Sequence, residues 1–300
     1  MPRVGKRSHG GREPAMMSLW GGRGGLFLDL AGLFSCSCLA FWLFLGKEIM
    51  QVNIQLMLGD CLERLNEIQN ETVDLTVTSP PYFNAKEYSQ YSSVQEYMRQ
   101  MQEIFSLVYQ KTKKSRMCVV NISPVLVARE KRSRQSYRVP LPFYFVPMME
   151  NIGFEFLEDI IWLKPDGAVP NRNGGFYRHR KPVAYKPNIV TEYILVFKKP
   201  ALFLLDKIIR KESLVADGYE RTNVWAFNPE TGSEHPAPFP EALPERVIAY
   251  YSYEGDIILD PFMGRGTTGK VAKKMKRNFI GIEIDPKSFK MADNWINSTA

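Results

Sequence analysis

Ile257-Ile258-Leu259-Asp260-Pro261-Phe262-Met263-Gly264-Arg265-Gly266-Thr267-Thr268 is the stretch on which the fold turns. Ile257–Leu259 reads as a buried strand and Thr267–Met275 as a helix, joined by a turn with two glycines in G-x-G spacing. Glycines there let a ligand approach the backbone, and the helix that follows offers N–H groups without partners of their own. G-x-x-x-x-G-K-[ST] is not completed, so a P-loop is excluded. Glu283 closes the next strand, Phe279–Ile284, nineteen positions past Gly264. An acid so placed accepts hydrogen bonds from ribose hydroxyls in Rossmann-type sites. The arrangement points to a nucleotide cofactor, either a dinucleotide or another adenosyl compound.

Outward from this turn, strand and helix patterns alternate. Val52–Leu58 reads as a strand ending in Gly59-Asp60, Cys61–Gln69 as a helix, Thr72–Thr78 as a buried strand and Val94–Lys111 as an amphipathic helix. Met117–Ile122 is a further buried strand, Val139–Asn151 a helix punctuated by proline, and Ile160–Leu163 and Tyr193–Phe197 are strand cores. Ser288–Asn297 reads as the last helix. Such alternation predicts an α/β domain with a mostly parallel sheet covered by helices on both faces.

Ser79-Pro80-Pro81-Tyr82 stops the Thr72–Thr78 strand abruptly, because prolines cannot continue a ladder. Taken alone it is a strand-ending turn. Its position is what gives it interest, since open α/β sheets bind ligands beyond the carboxyl ends of their strands. A Ser79 hydroxyl and a Pro80 carbonyl held rigidly there are two acceptors for the hydrogens of an exocyclic amino group. Drawing those hydrogens localises the nitrogen lone pair, which otherwise delocalises into the base ring and makes the nitrogen a poor nucleophile. Tyr82 adds a flat face for stacking, as enzymes acting on flipped bases require.

Thr78–Tyr82 followed by Asp260–Thr268 resembles, in that order, the S-adenosylmethionine-dependent DNA amino-methyltransferases of the β class. Gly59-Asp60-Cys61, Ile160–Pro165, Thr191–Lys199, His235–Pro240 and Ile280–Asp285 extend the resemblance over essentially residues 51–300. It implies a circularly permuted, Rossmann-like methyltransferase with a seven-stranded sheet, its catalytic turn ahead of its cofactor turn. The resemblance further implies that Phe262, Gly264 and Gly266 line S-adenosyl-L-methionine, with Asp260 and Thr267 nearby. Glu283 would hold the ribose, Asp60 the adenine amino group, and His235–Pro240 would close the pocket. Ser79, Pro80, Pro81 and Tyr82 would form the catalytic turn. Serine in that turn accompanies mostly N4-cytosine members of the family, and aspartate adenine members. The expectation is therefore methylation of cytosine N4 in duplex DNA, within a restriction-modification system with a cognate endonuclease as functional partner. N6-adenine methylation is the alternative, and a non-catalytic DNA-binding protein on a degenerate scaffold is the second. C5-cytosine chemistry needs a Cys after a proline, whereas Cys61 and Cys118 follow Asp60 and Met117.

The composition of the 300-residue chain fits this reading. Apolar residues make up 45% and charged ones 24%, a globular mix, and the formal charge of +7 suits a polyanion. Four Cys and three His, without a CxxC pair, support neither a zinc framework nor a disulfide scaffold. Reduced thiols and a cytoplasmic location are expected, with no metal. Lys164–Pro187 interleaves Arg172, Arg178, Arg180 and Lys181 with Phe176, Tyr177 and Tyr185, a pattern suited to reading DNA. Residues 129–138, with Arg132 and Arg134, are candidates for phosphate contact, and 201–223 is a further recognition candidate. Residues 1–50 stand apart: a Gly/Arg-rich opening leads into the apolar run Leu33–Leu45. They read as an N-terminal extension outside the fold; upstream translation ahead of a start near Met50 is the favoured reading, with a genuine but nonessential extension and a signal or membrane anchor as the alternatives. Residues 51–300 still carry 33 basic against 29 acidic side chains.

Overall fold

The computed structural model describes residues 51–83, 91–127, 131, 136–166, 187–202, 220–230 and 240–299. Met50–Ala300 forms one compact unit. Its strands are β1 (Ile54–Leu58), β2 (Val73–Thr78), β3 (Thr112–Ile122), β4 (Val125–Val127), β5 (Tyr137–Val139), β6 (Glu155–Leu163), β7 (Thr191–Lys198), β8 (Val224–Ala226), β9 (Ile257–Asp260) and β10 (Asn278–Glu283). Its helices are α1 (Cys61–Glu67), α2 (Val94–Lys111), α3 (Leu141–Ile152), α4 (Ala242–Tyr251), α5 (Thr267–Lys274) and α6 (Pro286–Asn297).

Eight strands form the main sheet in the order β1-β10-β9-β2-β3-β7-β6-β8, and β4 and β5 form a separate hairpin. From β1 to β3 every pairing is parallel; β7 runs against both its neighbours, and β8 is parallel to β6. The seven expected strands are present, and the eighth is β8, three residues long with only Trp225 buried. So brief a run offers no alternation to read. The hairpin likewise takes Tyr137 and Arg138 out of the expected 129–138 loop, and α3 starts at Leu141 because Val139 pairs with Val125.

Period-two alternation divides the buried residues between two faces. Cys118, Val120, Ile122, Leu195, Phe197, Leu259 and Ile282 pack beneath α1, α2 and α3, while Val119, Ile194, Val196, Ile258 and Phe279 pack beneath α4, α5 and α6. On the first face α2 buries Tyr97, Met101, Ile104, Phe105 and Val108 at helical spacing. Its start is fixed reciprocally: Ser93 accepts from the Glu96 N–H at 3.1 Å, and the Glu96 carboxylate accepts from the Ser92 N–H at 2.8 Å.

Phe105 meets Phe145 of α3 edge-on at 5.7 Å, and both are fully buried. Phe105→Ala is expected to cost about 3–5 kcal/mol of stability. Denaturant titration should show this as a lower midpoint at unchanged slope.

Candidate active site at the carboxyl edge of the sheet

Parallel neighbours bring their carboxyl ends together along one edge. In sheet order these ends carry Asp60 after β1, Glu283 on β10, Asp260 on β9, Ser79 after β2 and Asn121 on β3. The reversed β7 contributes its first residues, including Glu192, to the same edge, and β6 contributes Leu163 and Lys164.

The glycine turn is built around two carboxylates. Asp260, 1% exposed, accepts from the Thr78 hydroxyl at 2.7 Å, the Thr268 hydroxyl at 2.9 Å and the Phe262 N–H at 3.1 Å. Its part is to lock the turn and to join it to the end of β2. Burial pushes its carboxyl up to about 6, against the lowering effect of these three bonds. Glu283 accepts from the Gly264 N–H at 2.8 Å and the Asp285 N–H at 2.8 Å, and burial raises it too. The Gly59 N–H donates to the Glu283 carbonyl at 2.9 Å, which sets Asp60 beside β10. Asp60 caps α1 by accepting from the Leu62 N–H at 2.7 Å.

The two turn glycines serve different ends. Gly264 has φ +57°, and a Cβ built there would meet nothing nearer than the Phe262 carbonyl oxygen at 4.0 Å. Gly266, at φ +90°, lies against α6, where a Cβ would sit 2.9 Å from both Ala292 Cβ and Ile296 Cδ1. Open space at Gly264, a carboxylate bonded to its N–H and the first turn of α5 beside it form a cradle that suits a nucleoside. Gly266 is there for helix packing, and Thr267 is buried in that first turn. Phe262 is half-buried, 6.5 Å from Phe105.

Beyond Thr78 the diproline turn leaves Ser79, Pro81 and Tyr82 half-buried and Pro80 buried. The Tyr82 hydroxyl donates to Glu192 at 3.1 Å. Burial, then the Glu192 charge, holds this phenol well above its ordinary range, so it stays a donor. Asn121 Nδ2 donates to the same carboxylate at 2.9 Å, and Lys164 pairs with its other oxygen. Lys164 lies 4.5 Å over the Trp162 ring, and Trp162 stacks on Phe227 at 5.0 Å. A cavity of about 360 Å³, lined by Leu163, Lys164, Pro165, Asp166, Ala226, Phe227 and Asn228, opens beyond Lys164. Lys164, the first residue of the segment expected to read DNA, is thus paired with Glu192. Thr78, Asn121 and Glu192 received no role from sequence, because single polar residues at strand ends carry no periodic signal.

Arg132, Arg134, Arg172, Arg178, Arg180 and Lys181 lie outside the described residues, as does most of His235–Pro240. Among the described residues no group of His, Cys, Asp and Glu is arranged to hold a metal, and no helix is long and apolar enough to cross a membrane. Cys61 and Cys118 are free thiols, and burial pushes Cys61 up to about 12, which keeps it from acting as a thiolate nucleophile.

A family model described as DNA methylase, N6_N4_Mtase, matches residues 73–294. The chain is 32% identical to the type II beta methyltransferase M.BslI of Bacillus sp. (strain NEB-606), an alignment covering 78% of this chain and 26% of that protein. It is 31% identical to the type II methyltransferase M.BglII of Bacillus subtilis, covering 76% and 64%. The chain thus spans about a quarter of the first relative's length and just under two thirds of the second's. Among solved structures, TTHA0409 of Thermus thermophilus, complexed with S-adenosyl-L-methionine, shares the fold at a TM-score of 0.64 and 24% identity, over 82% of this chain and 94% of that one.

Proposed function

Given that this chain belongs to the N6_N4_Mtase family of DNA methylases, we propose that it transfers a methyl group from S-adenosyl-L-methionine to the N4 atom of cytosine in duplex DNA. The observation that carries the reading is the 2.7 Å hydrogen bond from Thr78 to Asp260, across 182 residues of chain. It ties the glycine turn and the Ser79–Tyr82 turn together at the ends of adjacent strands, as a methyl donor and its acceptor require. The sheet order, with late strands β9 and β10 set between β1 and β2, agrees with a circular permutation.

In this reading Gly264, the α5 N-terminus and Phe262 cradle the cofactor, Glu283 accepts from its ribose hydroxyls and Asp60 from its adenine amino group. Bound there, the cofactor supplies an electrophilic methyl group on a sulfonium. Ser79 Oγ and the Pro80 carbonyl draw the two amino hydrogens, freeing the nitrogen lone pair for attack, while the Tyr82 ring holds the flipped base. Serine rather than aspartate at position 79 is what favours cytosine; N6-adenine is the second reading on the same scaffold. Intact Ser79, Tyr82, Gly264 and Glu283 speak against a degenerate, non-catalytic protein. The segments carrying Arg132, Arg134, Arg172, Arg178, Arg180 and Lys181 are assigned to DNA, residues 51–300 to the methyltransferase domain, and residues 1–50 to a dispensable extension. A cytoplasmic place beside a cognate endonuclease follows from a role in restriction and modification.

Transfer of labelled methyl groups to unmethylated duplex DNA tests the activity. Cofactor binding should also depend on pH. The free site keeps Asp260 protonated up to about pH 6, with Glu283 raised as well, whereas a cationic ligand favours both as carboxylates. Binding therefore releases protons, so affinity is full above pH 6 and lost as pH falls through it. Calorimetry should find roughly tenfold weaker binding at pH 5 than at pH 7.

A further inference from the structure

Glu192 belongs to neither turn, yet three donors from elsewhere in the sheet converge on its carboxylate. Oε2 accepts from the Tyr82 hydroxyl at 3.1 Å and from Asn121 Nδ2 at 2.9 Å, and Oε1 is paired with Lys164 Nζ. The group is poorly exposed: the side chains of Lys164 and Glu192 are 16% and 15% accessible, and Asn121 is 3% exposed. Asn121 spends its donor on Glu192, and its buried Oδ1 has no hydrogen-bond partner among the described residues. A buried acceptor left unpaired is destabilising. Packing alone gives no reason to accept that cost.

We propose that Glu192 is a positioning residue for the target base: it holds the phenol of Tyr82, and so fixes the plane of the ring on which the flipped base stacks. The inference rests on the reading of this chain as a base-flipping methyltransferase. An ionised carboxylate is acceptor-only and can serve Tyr82, Asn121 and Lys164 together. An amide there would turn its own donor toward one of the three. Lys164 supplies the opposite charge that a carboxylate at this depth requires. Because β7 is antiparallel, its Glu192 arrives from the strand's beginning, on the side of Tyr82 away from the glycine turn. The tether is thus independent of the cofactor elements on β1, β9 and β10.

The test uses the full chain, with single-turnover methyl transfer at saturating cofactor and DNA and a separate titration of cofactor affinity. Glu192→Gln should slow transfer by about tenfold or more, the scale expected for a misaligned reacting group, with cofactor affinity unchanged within about twofold. Tyr82→Phe keeps the ring and the Lys164 pair but removes the tether together with the phenol's contact to Ser79, and should slow transfer at least as much. In the double variant the two effects should not multiply, because Tyr82→Phe has already removed the tether on which Glu192→Gln acts. Transfer by Glu192→Gln within about twofold of the parent, multiplying effects, or equal loss of cofactor affinity would each overturn the proposal. Should Glu192→Gln fail to fold, a parental rate in Tyr82→Phe overturns it alone. A parent protein that transfers no methyl group defeats both readings, whereas an active parent with an indifferent Glu192→Gln defeats only this one.

Discussion

Ser79→Ala is expected to slow methyl transfer by about a hundredfold while leaving cofactor affinity within about twofold, the usual loss when one preorganised polar contact to the reacting group is removed. Ser79 follows the fully buried strand β2, and Pro80 and Pro81 restrict how far the turn can relax once the hydroxyl is gone. One acceptor, the Pro80 carbonyl, remains, so the nitrogen lone pair is only partly freed. None of the proposed cofactor cradle is touched, because Asp60, Glu283 and Gly264 stand on or beside other strands. The loss should therefore fall on the turnover number and not on the cofactor KM. Equal loss of both would mean that the turn supports the cradle instead of the base.

Gly266→Val is expected to damage stability and cofactor binding together. The position has φ +90°, where a β-branched residue is a genuine outlier, and the new Cβ would lie 2.9 Å from Ala292 Cβ and Ile296 Cδ1. Left-handed strain and overpacking together cost about 2–5 kcal/mol, a fall in melting temperature of roughly 4–20 °C for a domain of this size. The displaced α5 start should abolish cofactor binding as well. Gly264→Ala makes the informative contrast. Its φ of +57° carries a modest backbone cost, but its Cβ would enter open space. That variant should fold with little loss of melting temperature and still bind the cofactor poorly. Differential scanning fluorimetry alongside cofactor titration separates the two cases.

The strand, turn and helix around Gly264 were legible because several constraints coincide there: an apolar strand, glycines in G-x-G spacing and an acid at the next strand end. Asp260 shows the limit of that legibility, since its motif position marks it but only the fold shows its oxygens bonded to Thr78, Thr268 and Phe262. The eighth strand escaped because β8 is held by pairing with β6 rather than by any pattern of its own. Glu192 escaped for a related reason. In an otherwise apolar run an acid at a strand's first positions looks like a solvated end, and only the reversal of β7 sets it against Tyr82.

Nucleoside mass spectrometry of unmethylated duplex DNA, after incubation with the protein and isotopically labelled S-adenosyl-L-methionine, tests the central claim most directly. Labelled N4-methylcytosine is the predicted product, and it should disappear with Ser79→Ala. N6-methyladenine would contradict the assignment of cytosine to the Ser79 turn, and the absence of any labelled nucleoside would contradict the account as a whole.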